Sequence, residues 1–178
     1  MENPMRKLTF SLLAIAACLL ALPSYAQQRT SPKAEVSGNV GGAKVDIVYC
    51  RPSADKRKIM GELVPYGKIW RTGANEATEI TTKKDILVNN ILLKAGTYSL
   101  FTIPEKDKWT IVINTDVGMW GAYNYNPKKD LWRFEVPSQT TDKIYEAFTI
   151  SFDHRNEVAD LLIMWDNVKV SIPFKFPN

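Results

Sequence analysis

The chain has 178 residues, 45% hydrophobic and 24% charged, with 23 Lys and Arg against 19 Asp and Glu and a formal net charge of +4. That length suits one domain with a sizeable core, and so small a basic excess, scattered among acidic residues, excludes a nucleic-acid face. A single histidine and two cysteines leave too few ligands for a dedicated zinc centre, and neither a metal nor a cofactor is expected.

The N-terminus reads as a cleavable signal helix over residues 1–26. Arg6 and Lys7 form a positive n-region, Leu8 to Leu22 an almost unbroken apolar run, and Ser24-Tyr25-Ala26 the small residues a signal peptidase reads. The run is shorter than the roughly 20 residues of a membrane-spanning helix, so no membrane span is expected after cleavage. An alternative is a lipobox at Ile15-Ala16-Ala17-Cys18, with anchoring through Cys18. Export places the protein in the periplasm or outside the cell. Cleavage leaves Cys50 as the sole cysteine, which excludes an internal disulfide. Following a strand-like run, Cys50 reads as buried and inert, with a reactive thiol the alternative.

Residues 27–33 are polar and read as a flexible linker, and residues 34–178 as a single domain. Lys33–Val40 and Lys44–Tyr49 flank Gly41-Gly42, a two-residue hairpin signature. Val45 and Ile47 alternate with Lys44 and Asp46, the period-2 mark of a half-buried strand. Thr78–Thr82 is β-branched and polar, and Ile86–Val88 and Ile91–Lys94 flank Asn89-Asn90, residues that tolerate a tight turn. Thr97–Ile103, Trp109–Asn114, Leu131–Val136, Tyr145–Phe152, Ala159–Trp165 and Val168–Phe174 complete the set, with turns at His154–Asn156 and Asp166-Asn167. About ten short strands with turn signals every 8–12 residues predict an all-β fold, an antiparallel β-sandwich. The best helical stretch is the short Ala54–Leu63.

Two segments break the strand rhythm, Arg51–Glu76 and Asp116–Asp130. Long irregular loops in compact β domains are functional or disordered. These carry Arg51, Arg57, Trp70, Arg71, Asn75, Glu76, Trp120, Tyr123 and Tyr125, and such aromatic content argues for packed, ordered loops. Local function is therefore expected there.

The same segments carry a resemblance. Tyr49-x-Arg51-Pro52-Ser53, the block Gly61-x-Leu63-Val64-Pro65-Tyr66-Gly67-Lys68-x-Trp70-Arg71-Thr72-Gly73-Ala74-Asn75-Glu76-Ala77-Thr78, Ala95–Pro104 and Trp120-Gly121-x-Tyr123-x-Tyr125 resemble a secreted bacterial family, domain of unknown function 2911. That family typically reads Lys-Gly-Arg where this chain has Asp55-Lys56-Arg57-Lys58, so a turn glycine is missing here. The resemblance implies export and an all-β domain. It carries over no catalytic residue.

No phosphate loop, nucleophile elbow or H-E-x-x-H occurs. Trp70–Glu76 reads as a polar clamp, in which Arg71 offers a planar fork to an anion or hydroxyl pair and Asn75 a donor and an acceptor. It reads also as a structural pin, with Arg71 and Glu76 paired to each other or to Arg51 and Asp130. Trp120, Tyr123 and Tyr125 suit the apolar faces of sugars, or else cap the core. Three functions fit these residues. The first is a non-catalytic ligand-binding or accessory module of the bacterial envelope, for a glycan or a peptide. The second is a carboxylate-based hydrolase with Glu76 and Asp130 as its acids, which on a glycan needs them roughly 5–5.5 or 6.5–9.5 Å apart. The third is a purely structural envelope protein.

Overall fold

The computed structural model describes residues 30–155 and 158–177. The signal helix expected over residues 1–26, the start of the linker, and Asn156 of the expected turn lie outside the described residues. The described chain is all-β. A hairpin of β1 (Lys33–Val40) and β2 (Ala43–Cys50) comes first, and β3 (Thr78–Thr82) follows the first long loop. Next are β4 (Ile86–Val88), β5 (Ile91–Leu93), β6 (Gly96–Pro104) and β7 (Lys108–Asn114). A 3-10 turn at Pro127–Lys129 then leads into two long strands, β8 (Asp130–Arg155) and β9 (Val158–Lys175).

Turn chemistry fixes both tight hairpins. Gly41 and Gly42 take φ of 54° and 81°, and Asn89 and Asn90 take 48° and 65°, the positive values that let a two-residue turn match strand twist.

The strands form one antiparallel sheet in the order β1-β2-β3-β6-β7-β8-β9-β4-β5. Residues 130–137 of β8 pair with β7, and residues 138–155 pair with β9. β8 thus belongs to two layers, β1-β2-β3-β6-β7 and β9-β4-β5, and a shared core lies between them. Register shifts on both sides of Tyr145, opposite Asp166 at φ 53°, bend the long strands, as bulges do. The shifts also explain a difference from the sequence expectation. Leu131–Val136 and Tyr145–Phe152 belong to one strand, and Asp166-Asn167 is a bulge inside β9, because one irregular residue absorbs the turn signal without ending the ladder.

The core follows strand alternation. Val45 and Ile47 of β2, Ile80 of β3 and Ile111 of β7 meet Phe148, Ile150 and Ile163 from β8 and β9, each burial contributing about 1.5–3 kcal/mol. Gly38 of β1 sits where a Cβ would come within 2.5 Å of the Phe152 ring, so its bare backbone lets β8 lie against β1. Phe101 and Val112 point the other way, from β6 and β7. With Ala77 they form a second apolar cluster under Ile69, Met119, Ala122 and Tyr125. That cover holds the second irregular segment on the sheet.

Ala54–Leu63 forms turns and no helix. Asp55 and Lys56 both have left-handed φ, 50° and 58°. Lys56 therefore adopts the conformation a glycine would take with least strain, and the turn survives the missing glycine. Among the described residues no helix is long and apolar enough to cross a membrane.

Candidate functional site

The Trp70–Thr78 block is stitched to β6. Trp70 donates its backbone N–H to the Thr102 carbonyl at 2.7 Å and accepts from the Thr102 N–H at 2.9 Å. Its ring stacks on Trp165, centroids 5.9 Å apart, and meets the edges of Trp109 and Phe148 at 5.9 and 5.2 Å. The indole N–H donates to the Gly73 carbonyl at 3.0 Å. Thr72, with φ 55°, occupies a region a β-branched residue rarely adopts. It is held there because Thr72 Oγ1 donates to Thr102 Oγ1 at 3.1 Å and Thr78 Oγ1 donates to the Thr72 carbonyl at 2.6 Å. Such a conformation persists only where its surroundings over-determine it. Trp70 and Thr72 turn inward as a result, while Arg71 and Asn75 are only partly buried.

Arg71 and Asn75 line a cleft of about 730 Å3, together with Arg57, Asp55, Glu146 and the edges of Trp70 and Trp165. Arg71 Nε is buried and has no hydrogen-bond partner, a state that costs about 1–3 kcal/mol or more for a charged donor. Arg57 is tied locally, donating from Nε to the Ala54 carbonyl at 3.0 Å and from Nη2 to the Ser53 carbonyl at 2.7 Å. Asn75 Nδ2 donates to the Ser31 carbonyl at 3.2 Å, which draws the segment before β1 along the cleft wall. Glu146 Oε1 accepts from the Asp55 backbone N–H at 2.8 Å.

The remaining expected site residues lie elsewhere. Arg51 is bound to β8, through Nε to the Phe148 carbonyl and Nη2 to Thr149 Oγ1, both at 3.1 Å. Glu76 lines a separate pocket of about 190 Å3 with Cys50, Glu79 and Lys33. The Cys50 thiol donates to Glu76 Oε2 at 3.3 Å, and burial, reinforced by that carboxylate, pushes the thiol up from its usual range. A raised thiol is a poor nucleophile at neutral pH. Glu79 Oε1 accepts the Gly118 N–H at 2.7 Å. Asp130 lines neither cavity. It accepts from Asn114 Nδ2 at 2.8 Å, and from the Tyr125 hydroxyl and Arg133 Nε at 2.7 Å each.

The two irregular segments meet. Ala77 donates to the Met119 carbonyl at 2.9 Å and Gly121 to the Asn75 carbonyl at 2.8 Å, with Glu76 opposite Trp120 in a short antiparallel bridge. Trp120 and Tyr123 are 58% and 85% exposed, but neither lines the Arg71 cleft. Tyr125 instead packs its ring on Phe101 at 5.0 Å, and its hydroxyl accepts from Arg133 Nη2 at 2.6 Å.

Burial first, and then Asp130, push the Tyr125 phenol up to about 12. An unfolded tyrosine ionises near 10. Between those values the unfolded chain has released a proton that the native chain still holds, so stability falls as pH rises through this window. Tyr125→Phe is expected to flatten that alkaline loss, measured by urea denaturation at several pH values. An unchanged slope would place the titrating group elsewhere.

Asp55, Glu146, Trp165 and Glu79 were not legible as site residues. Glu146 is an exposed strand position and Glu79 a partly exposed one, and the Ser53–Ala147 bridge helps bring Glu146 to the first loop. No three His, Cys, Asp or Glu side chains among the described residues converge to hold a metal ion. Comparison with curated proteins and with solved structures returns no match. Residues 31–174 match the sequence model described as "Protein of unknown function (DUF2911)", and the chain belongs to that family.

Proposed function

We propose that this is an exported, non-catalytic binding or accessory module of the bacterial envelope, taking a glycan or peptide ligand by an anionic group in the Arg71 cleft. The observation that carries this reading is the Arg71 guanidinium, whose buried Nε has no partner in a cleft of about 730 Å3. That size falls within the roughly 300–1,000 Å3 of small-molecule sites. Export is supported by the charged, apolar and small-residue succession of residues 1–26.

The hydrolase alternative takes Glu76 and Asp130 as its acids, but Asp130 does not line the Glu76 pocket, and even with Glu79 as the second acid that pocket, at about 190 Å3, falls below the range of roughly 300–1,000 Å3 for substrate sites. A purely structural envelope role draws on the hydrogen bonds that stitch Thr72 and Thr78 into the sheet. It leaves Arg71 unexplained.

A carboxylate-bearing ligand at about a hundred times its dissociation constant is expected to add ~2.7 kcal/mol of stability, several degrees in a thermal-shift assay. Arg71→Ala is expected to abolish that shift and leave the melting temperature of the free protein nearly unchanged. A shift that survives in the variant overturns the reading, and so does silence across acidic glycans, peptides and simple carboxylates.

A further inference from the structure

The walls of the cleft carry both signs of charge. Arg57 and Arg71 stand on one side of the account, Asp55 and Glu146 on the other. Among the described residues no ion pair joins any of these four to another, although the protein pairs Lys58 with Glu62, Lys94 with Asp85 and Lys108 with Glu135 on open surface. Two of the four are engaged by backbone. Arg57 is committed to two carbonyls, and Glu146 uses Oε1 on the Asp55 N–H, which leaves Oε2 for another donor.

We infer that the cleft binds a short zwitterionic peptide, its carboxylate at Arg71 and its ammonium group at Glu146 and Asp55. This rests on the anionic-group reading of the Arg71 cleft and names the ligand class. The alternatives each leave a group unsatisfied. A polyanion such as a nucleoside polyphosphate meets Asp55 and Glu146, and like charges in one site are repelled. A neutral glycan brings no countercharge to the partly buried Arg71 guanidinium, and a polycation meets two arginines. A ligand with one charge of each sign supplies a bidentate partner to Arg71 and a donor to Glu146. Asn75, whose Nδ2 donates to the Ser31 carbonyl, adds an amide to the cleft lining. The edges of Trp70 and Trp165 offer apolar wall to a side chain.

The test is calorimetric titration of the whole exported protein with unmodified dipeptides and with their N-acetylated and C-amidated forms, alongside acetate and succinate. Unmodified dipeptides are expected to bind, and either modification to weaken binding at least tenfold. In Glu146→Gln, which keeps the oxygen that accepts from the Asp55 N–H, N-acetylation is expected to cost markedly less than in the unchanged protein, with Asp55 the carboxylate that remains. In Arg71→Ala the same is expected of C-amidation, the signature of a direct pair in a double-mutant cycle. If acetylated peptides or simple carboxylates bind as tightly as free dipeptides, the ammonium site is wrong and the anionic-group reading stands. If amidated peptides bind as tightly, or no carboxylate binds, both fall.

Discussion

Trp70→Ala is expected to cost the domain about 3–5 kcal/mol, the range for removing a buried tryptophan. Trp70 is 8% exposed and touches three other rings, and each aromatic pair contributes about 0.5–1.5 kcal/mol beyond buried area. Its N–H also holds the Gly73 carbonyl, at about 1 kcal/mol net. Total stabilities run about 5–15 kcal/mol, so this one change removes a large share. The melting temperature is expected to drop on the order of 10 °C. Far-UV circular dichroism in urea suits the measurement, because fluorescence would lose a reporter with the residue. Trp70→Phe, which keeps a ring but not the donor, is expected to lose about half as much. A loss below about 1 kcal/mol for Trp70→Ala would mean that the backbone bonds to Thr102 hold the loop unaided.

Local signals explain why so much of the sheet was legible. Gly41-Gly42 and Asn89-Asn90 take the positive φ that hairpins demand, and the Val45–Ile47 alternation matches the buried face of β2. What was not legible was continuity. Asp166 looks like a turn residue and takes a turn residue's conformation, yet cross-strand pairing to Tyr145 keeps the strand running through it. Pairing of that kind is set by residues far away in sequence, which no local pattern reports.

The site divides along the same line. Arg57, Trp70, Arg71 and Asn75 were visible because they sit in a loop too long and too aromatic for a plain connection, and the structure brings them to one cleft. The acidic wall was invisible. Glu146 reads as an ordinary exposed strand residue until the Ser53–Ala147 bridge carries β8 past the loop. Asp130 stands apart from both cavities. It borders an irregular loop, as a catalytic acid would, but its oxygens hold Asn114, Tyr125 and Arg133 and anchor the second loop instead. A boundary position does not distinguish an anchor from a site.

Gly73→Ala is expected to be the most damaging single-methyl change in the loop, at about 2–3 kcal/mol, with ligand binding lost alongside stability. A Cβ at Gly73, where φ is 154°, would come 2.9 Å from the Cys50 carbonyl oxygen and 3.4 Å from Thr78 Oγ1. The first is backbone of β2, where Cys50 pairs with Lys33 of β1. The second is engaged with the Thr72 carbonyl. Neither neighbour is free to withdraw, so the loop must shift, and overpacking of this kind costs about 1–3 kcal/mol on top of backbone strain. Arg71 lies two residues away and would move with it. Gly67→Ala separates the two contributions. Gly67 has φ 69° and nothing within 4 Å of its would-be Cβ, so only the left-handed strain of about 1–2 kcal/mol applies, and binding at the cleft is expected to survive. Equal losses at the two glycines in chemical denaturation would show that conformation, and not the contact with Cys50, is what Gly73 supplies.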